Sequence, residues 1–342
     1  MHPVSAYRHD VTHRNRGMTL IELIIVITIS GIIATMLAMF IVRPMEGYNA
    51  QTRRAALVDA AESALRRISR DIHRALPNSV LVADAGGAVN NVTCNVAGSI
   101  CAIGTLNVMD GARYRDGPGR LIGPPLGHDH ASSQFWLRFN GADTDGFNVV
   151  GFFQNIPIPF NSTNPAHCPS LQCRLAIYNL GPSVPTANAY AVAGAPAGTP
   201  VVITNPVVTT FAIANDGGGF NDEHRIVPTL GSFRFRYRSP FQRVFIVDTP
   251  VTYLCAPGPN GTLTRYANYA IAAAQSTNPG ALPLSAATNV SLVATPVTAC
   301  TFTYTAGTPQ RGGVVTINIT MADATSGDTV QLLHQVHVDN AP

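Results

Sequence analysis

A single carboxylate, Glu22, interrupts a stretch from Met18 to Val42 that is otherwise free of charge. Placing an acid in hydrocarbon costs on the order of 3 kcal/mol at mid-span and less near the edge. Such a residue marks either a function with a nearby partner or an interfacial position among headgroups. Gly17 stands five residues before it, preceded by Arg16. The other reactive residues are six cysteines, Cys94, Cys101, Cys168, Cys173, Cys255 and Cys300, all C-terminal to the apolar run. They fall in close sequence pairs, which favours disulfides, and the simplest assignment is Cys94–Cys101, Cys168–Cys173 and Cys255–Cys300. A zinc site would want Cys-x-x-Cys spacing, which these pairs lack.

Other constellations are weaker. Asp143-Thr144-Asp145-Gly146 resembles the start of a calcium loop, and Asn221-Asp222-Glu223 clusters oxygen ligands, but neither adds the distal bidentate acid a full site needs. His128 and His130 flank Asp129 in a Gly/Pro-rich loop, where solvated side chains are the simpler reading. No metal and no cofactor is expected. All 22 basic residues are arginine, which excludes a phosphate-loop lysine, a Schiff-base lysine and a Ser/Lys dyad. With no Gly-x-Ser-x-Gly elbow and no His-Glu-x-x-His pair either, an enzyme is not expected. Arg234, Arg236 and Arg238 alternate with Phe233, Phe235 and Tyr237. Stacking of bases would need aromatics beside the cations, whereas this alternation puts them on opposite faces of a strand. The net charge of +3 is too small to add weight, so no nucleic-acid partner is expected.

These residues need elements to hold them. The run from Met18 to Val42 is long enough to span a bilayer and too long for the core of a signal peptide, so it reads as an anchor. Pro44 predicts a kink or break at its exit. An amphipathic helix follows, with Val58, Ala61, Leu65, Ile68, Ile72 and Ala75 on one stripe. Arg53, Arg54, Glu62, Arg66, Arg67, Arg70, Asp71 and Arg74 form an opposite, solvated face, Glu62 and Arg66 being spaced for an ion pair. The stripe should pack on the chain's own sheet, and Leu76-Pro77-Asn78 should stop the helix. Val80 to about Gln134 reads as loops and short strands. Strand signals follow at Phe135–Phe139, Phe147–Gln154, Arg174–Leu180 and Phe233–Arg238, then from Val244 to Cys255. Gly181–Pro200 reads as a surface excursion and Ala267–Asn289 as an insertion. Alternation at Val315–Met321 and Val330–Val338 predicts a final antiparallel pair. Charged residues make up only 12% of the chain while glycine and proline are plentiful, which favours a strand-rich, loop-rich body.

Gly17-Met18-Thr19-Leu20-Ile21-Glu22, after a basic leader and before a long apolar helix, resembles the type IV pilin and type II secretion pseudopilin family position by position. Phe is usual where Met18 stands. The resemblance implies cleavage by prepilin peptidase between Gly17 and Met18, methylation of the new Met18 amine, and pairing of Glu22 with a neighbouring subunit's N-terminal amine. Arg74–Val80, Val251–Cys255, Arg265-Tyr266 and Val336–Pro342 further resemble the MshO family of MSHA pilus biogenesis proteins. The middle of the chain, from about Leu81 to Gly231, carries little of that likeness. The implied fold is α+β and pilin-like: a leader over 1–17, a membrane-spanning and filament-core helix over 18–44, an amphipathic helix over 45–77, and an antiparallel β-rich domain over 78–342. The implied partners are prepilin peptidase, other minor pilins, the major pilin and an inner-membrane assembly platform. Disulfides require an oxidising compartment, which would place the C-terminal domain in the periplasm or outside the cell; the resemblance implies an inner-membrane precursor with that domain in the periplasm.

Overall fold

The computed structural model describes residues 17–117, 135–216, 223–307 and 311–338, with backbone alone at 42–44. Helix α1 (Leu20–His73) carries through Arg43-Pro44 without a break, where the sequence predicts a kink or an end. Proline removes one helical hydrogen bond, and the helix continues on both sides of it. The chain divides into two compact units, 1–53 and 54–342.

In the first unit, residues 20–41 are exposed throughout. Part of α1 here has a mean hydropathy of 2.6 with none of it buried, and it is long and apolar enough to cross a membrane. Among the described residues nothing covers this surface, which suits an apolar environment.

The second unit holds the rest of α1 and all the strands. The early strands are β1 (Leu81–Asp84), β2 (Asn91–Cys94), β3 (Cys101–Tyr114), β4 (Phe147–Val150), β5 (Phe160–Asn161) and β6 (Arg174–Ala176). A one-turn helix α2 (Ala189–Val192) precedes β7 (Thr210–Asn215), β8 (His224–Leu230), β9 (Arg243–Ala256) and β10 (Thr262–Ala267). The chain closes with β11 (Asn289–Ala294), β12 (Val297–Thr305), β13 (Gly313–Ala322) and β14 (Thr329–Val338).

Two antiparallel sheets result. A ten-stranded sheet has the order β11-β10-β9-β3-β4-β8-β7-β5, with β1 added to β3 and β6 to β9. A four-stranded sheet has the order β14-β13-β12-β2. From α1, Leu57, Ala61, Ala64, Leu65, Ile68 and Ile72 share a core with Ile103 and Tyr253 of the large sheet and Phe302, Ile317 and Ile319 of the small one. The spacing of three and four residues along the helix is what brings these side chains to one face. In β13, Val315, Ile317, Ile319 and Met321 are all fully buried, alternating with half-exposed polar neighbours as the period of two requires.

Several loops of the sequence reading are structured. The segment read as loops and short strands contains β3, fourteen residues long and paired with β9 from Cys101 to Arg113 through two register shifts. Its alternation is hidden by Gly104, Asn107, Asp110 and Gly111. A side chain at Gly104 would collide with Gln275 and Thr252. Asp110, nearly buried, accepts from the Gln154 and Asn155 amides at 2.7 and 2.6 Å. Phe135–Phe139 is irregular and not a strand, and its Arg138 amide donates to the Asp143 carboxylate rather than to a neighbouring strand. The Gly181–Pro200 excursion is part of the core: Ala187, Ala189, Tyr190 and Ala193 pack with Leu76, Leu106 and Val247. The Tyr190 hydroxyl donates to the Ser79 carbonyl at 2.8 Å, and burial pushes its pKa well above the ordinary phenol value. The insertion at 267–289 likewise contributes Tyr269 and Leu284 to a small core.

Candidate functional site

The N-terminus of α1 is built by Thr19. Its hydroxyl oxygen accepts from the Glu22 amide at 3.3 Å, and its carbonyl accepts from the Leu23 amide at 3.1 Å. Thr19 is thus an N-cap and Glu22 the third helical residue, the arrangement of a capping box. An acid in the first turn also faces the positive end of the helix dipole, which stabilises it by about 0.3–1 kcal/mol. Further along, the Thr28 hydroxyl donates to the Ile24 and Ile25 carbonyls and that of Thr35 to the Ile32 carbonyl. These threonines are therefore compatible with an apolar surround. The Glu22 carboxylate is not: among the described residues it has no ion-pair partner.

Gly17 is equally unexplained from within. A side chain there would meet nothing within 4 Å, and its backbone shows no positive φ. Among the described residues, no packing or backbone demand selects glycine at this position. A requirement for glycine would have to come from whatever handles this segment from outside. Gly17, Met18 and Glu22 lie within one short exposed stretch. The capping role of Thr19 was missed in the sequence, although Thr-x-x-Glu before an apolar run carries the signal.

In the body, the six cysteines form Cys94–Cys101, Cys168–Cys173 and Cys255–Cys300. Cys94 lies beside Cys300 in the β2–β12 register, and Cys101 beside Cys255 in the β3–β9 register. Two disulfides therefore stand next to each other, each joining the small sheet to the large one.

Of the weak calcium candidates, Asp143 and Asp145 lie among the described residues and both pair with Arg138. Asp143 is fully buried; one carboxylate oxygen accepts from the Asp145 and Gly146 amides, and the Arg138 guanidinium donates to Asp143 at 3.2 Å and to Asp145 at 2.9 Å. Asp143 is a turn-closing acceptor neutralised by an arginine, a role that consumes the oxygens a cation would need. Asp222, Asn221, His128, Asp129 and His130 lie outside the described residues. Glu223, beside Asp222 in sequence, is buried and forms a two-pronged pair with Arg115; the Asn148 amide donates to it at 3.1 Å and to Asp216 at 2.7 Å.

The arginine ladder is not one strand, since only isolated bridges pair Phe233 with Asp143 and Phe235 with Val201. Arg234 donates to the Gly198 carbonyl, Arg236 to that of Pro200, and Arg238 to Asp116 while lying over the Phe139 ring. Asp71, read as part of a solvated face, instead bridges helix and sheet. It accepts from the Tyr253 hydroxyl and from Arg265, both at 2.7 Å. Helical periodicity alone cannot show that β9 and β10 rise far enough around α1 to reach it.

Comparison with known proteins bears on the N-terminal stretch. The family model describing the prokaryotic N-terminal methylation motif matches residues 12–38. No curated protein and no solved structure matches the chain. This motif indicates a type IV pilin or pseudopilin precursor, a class that is generally structural and whose members are processed by prepilin peptidase and assembled with other pilins. The exposed apolar helix fits membrane anchoring of such a precursor.

Proposed function

We propose that the protein is a non-enzymatic minor pilin of an MSHA-like type IV pilus, most like the MshO family. One observation carries the reading: an exposed Gly-Met-Thr-Leu-Ile-Glu stretch whose carboxylate has no ion-pair partner among the described residues, opening a span-length helix that leads into a disulfide-linked body. In this reading prepilin peptidase cuts between Gly17 and Met18, and Met18 becomes the methylated N-terminus. The single-pass precursor sits in the inner membrane with its body in the periplasm.

Cleavage creates a cationic amine beside a lone carboxylate. An unpaired charge in an apolar medium is strongly disfavoured, whereas a hydrogen-bonded pair recovers much of the cost. Glu22 of one subunit meeting the Met18 amine of an adjacent one lets the anchor leave the bilayer with its charges matched. Major and other minor pilins and an inner-membrane assembly platform are the partners. The bulky body suits a place at the pilus tip, where it helps initiate assembly.

The test is a clean deletion strain, scored for surface pili by electron microscopy and for secretion of exported enzymes. Loss of pili with secretion intact is the expected result. Lost secretion with pili intact would instead make the protein a type II secretion pseudopilin, which shares the same leader and helix.

A further inference from the structure

Strands β2 and β12 of the small sheet set Cys94 opposite Cys300, and β3 and β9 of the large sheet set Cys101 opposite Cys255. The disulfides run the other way, Cys94 to Cys101 and Cys255 to Cys300, across Cα separations of 5.9 and 6.7 Å. Opposite residues of an antiparallel ladder have Cα atoms about 4.5–5.5 Å apart. All four sides of this quartet therefore fall inside the disulfide range of about 4.4–6.8 Å, and each sulfur has two reachable partners. The diagonals, Cys94 to Cys255 and Cys101 to Cys300, are roughly 8 Å for a square of that side and lie outside the range. Bonding along the strand pairs would ask the Cβ atoms to close by about 1 Å, which favours the pairing present while leaving the other within reach. All four side chains are at most 1% exposed and belong to the core that receives α1.

We propose that the quartet is one exchange site, at which an entering thiol moves both bonds from between the sheets to within them. The segment 95–98 that links Cys94 to Cys101 is exposed, so local opening reaches this bond first. The entering thiolate attacks Sγ of Cys101 and releases the Cys94 thiolate. Cys94 then attacks Sγ of Cys300, forming Cys94–Cys300 and releasing the Cys255 thiolate. Cys255 attacks Sγ of Cys101, forming Cys101–Cys255 and expelling the entering thiolate with its electron pair. Three S–S bonds form and three break, so no oxidant or reductant is consumed. In the product each bond lies within one sheet, and the remaining pair, Cys168–Cys173, belongs to a different core. The helix stripe that packs on both sheets is then held by packing alone.

The test uses the full-length chain in membranes of expressing cells, with free thiols trapped by excess maleimide and located by peptide mass spectrometry. The wild type has no free cysteine, so a trapped thiol reports the change made. Cys101→Ala leaves the Cys94 thiol beside the Cys255–Cys300 bond. Exchange is expected to divide the label between Cys94 and Cys255 and to leave Cys300 unlabelled. Label on Cys94 alone would overturn the proposal, and so would label on Cys300, the mark of a chain that pairs its cysteines at random. Double variants read the geometry by itself. Cys101→Ala/Cys255→Ala is expected to hold a Cys94–Cys300 disulfide, whereas Cys94→Ala/Cys255→Ala keeps a diagonal and should hold two free thiols; equal disulfide yields in the two would overturn the quartet. In the wild type, reduced and oxidised glutathione together should raise the Cys94–Cys300 and Cys101–Cys255 peptides in step while Cys168–Cys173 stays paired, and failure of those two peptides to appear would remove the exchange from the native chain.

Discussion

Asp71 holds two buried donors at one carboxylate oxygen, and the cost of losing it can be assigned to named partners. Truncation by Asp71→Ala leaves the Arg265 guanidinium and the Tyr253 hydroxyl desolvated without an acceptor. The expected loss is about 2–4 kcal/mol of unfolding free energy. Asp71→Asn keeps an acceptor and should lose less, as chemical denaturation of the two variants would show. Arg265 has its pKa raised by the hydrogen bond and charge of Asp71, although burial pulls the other way. His224 behaves oppositely. Its ring is packed against Phe152 and Phe153, and Nδ1 accepts from the Phe153 amide at 3.0 Å, a bond available only to the neutral ring. Burial lowers its pKa below the usual imidazole value, with Asp110 opposing the shift. The unfolded chain therefore takes up a proton first as pH falls through about 6.5, and stability drops with it. Thermal unfolding between pH 7.5 and 5 should show this loss in the wild type and a flatter profile in His224→Asn; equal slopes would remove His224 from the account.

Among the elements, the disulfides differ in what they constrain. Cys255–Cys300 closes a separation of 45 residues and ties β9 to β12, whereas Cys168–Cys173 closes 5 within a loop. Chain entropy gives about 4 kcal/mol for the first and about 2 kcal/mol for the second. The Cys255→Ala/Cys300→Ala variant should lower the melting temperature markedly more than Cys168→Ala/Cys173→Ala in calorimetry under oxidising conditions. Some elements were legible in the sequence because one physical signal dominated. The α1 stripe from Val58 to Ile72 and the alternation of Val315 to Met321 each show a regular burial period, while the strand from Val244 to Cys255 is marked by its density of apolar and β-branched residues. β3 was not legible, since Gly104 and Asp110 answer to neighbours far away in sequence. The Gly181–Pro200 segment was misread for a related reason: alanines carry little pattern, yet Ala187, Ala189 and Ala193 fill space that larger residues would overrun. At the candidate site Gly17 and Glu22 are legible because a glycine and an isolated charge stand at an apolar boundary, Met18 enters only through the family resemblance, and the cap supplied by Thr19 is not part of that reading.

For the molecule as a whole, an apolar helix with no covering and a body with a complete core belong to different surroundings. The first unit buries none of its apolar window, whereas the second packs the apolar stripe of α1 from Leu57 to Ile72 against two disulfide-joined sheets. In the proposed function, the assembly chemistry lies at one end, in Met18 and Glu22. The most direct measurement is peptide mass spectrometry on sheared surface pili and on membranes, comparing the wild type with Glu22→Val. The account predicts wild-type chain in the pilus fraction beginning at methylated Met18, and a Glu22→Val chain that is cut at the same bond but stays in the membrane. Glu22→Val found in pili at the wild-type level would contradict the pairing role, and a wild-type chain that retains residues 1–17 would contradict the pilin reading itself.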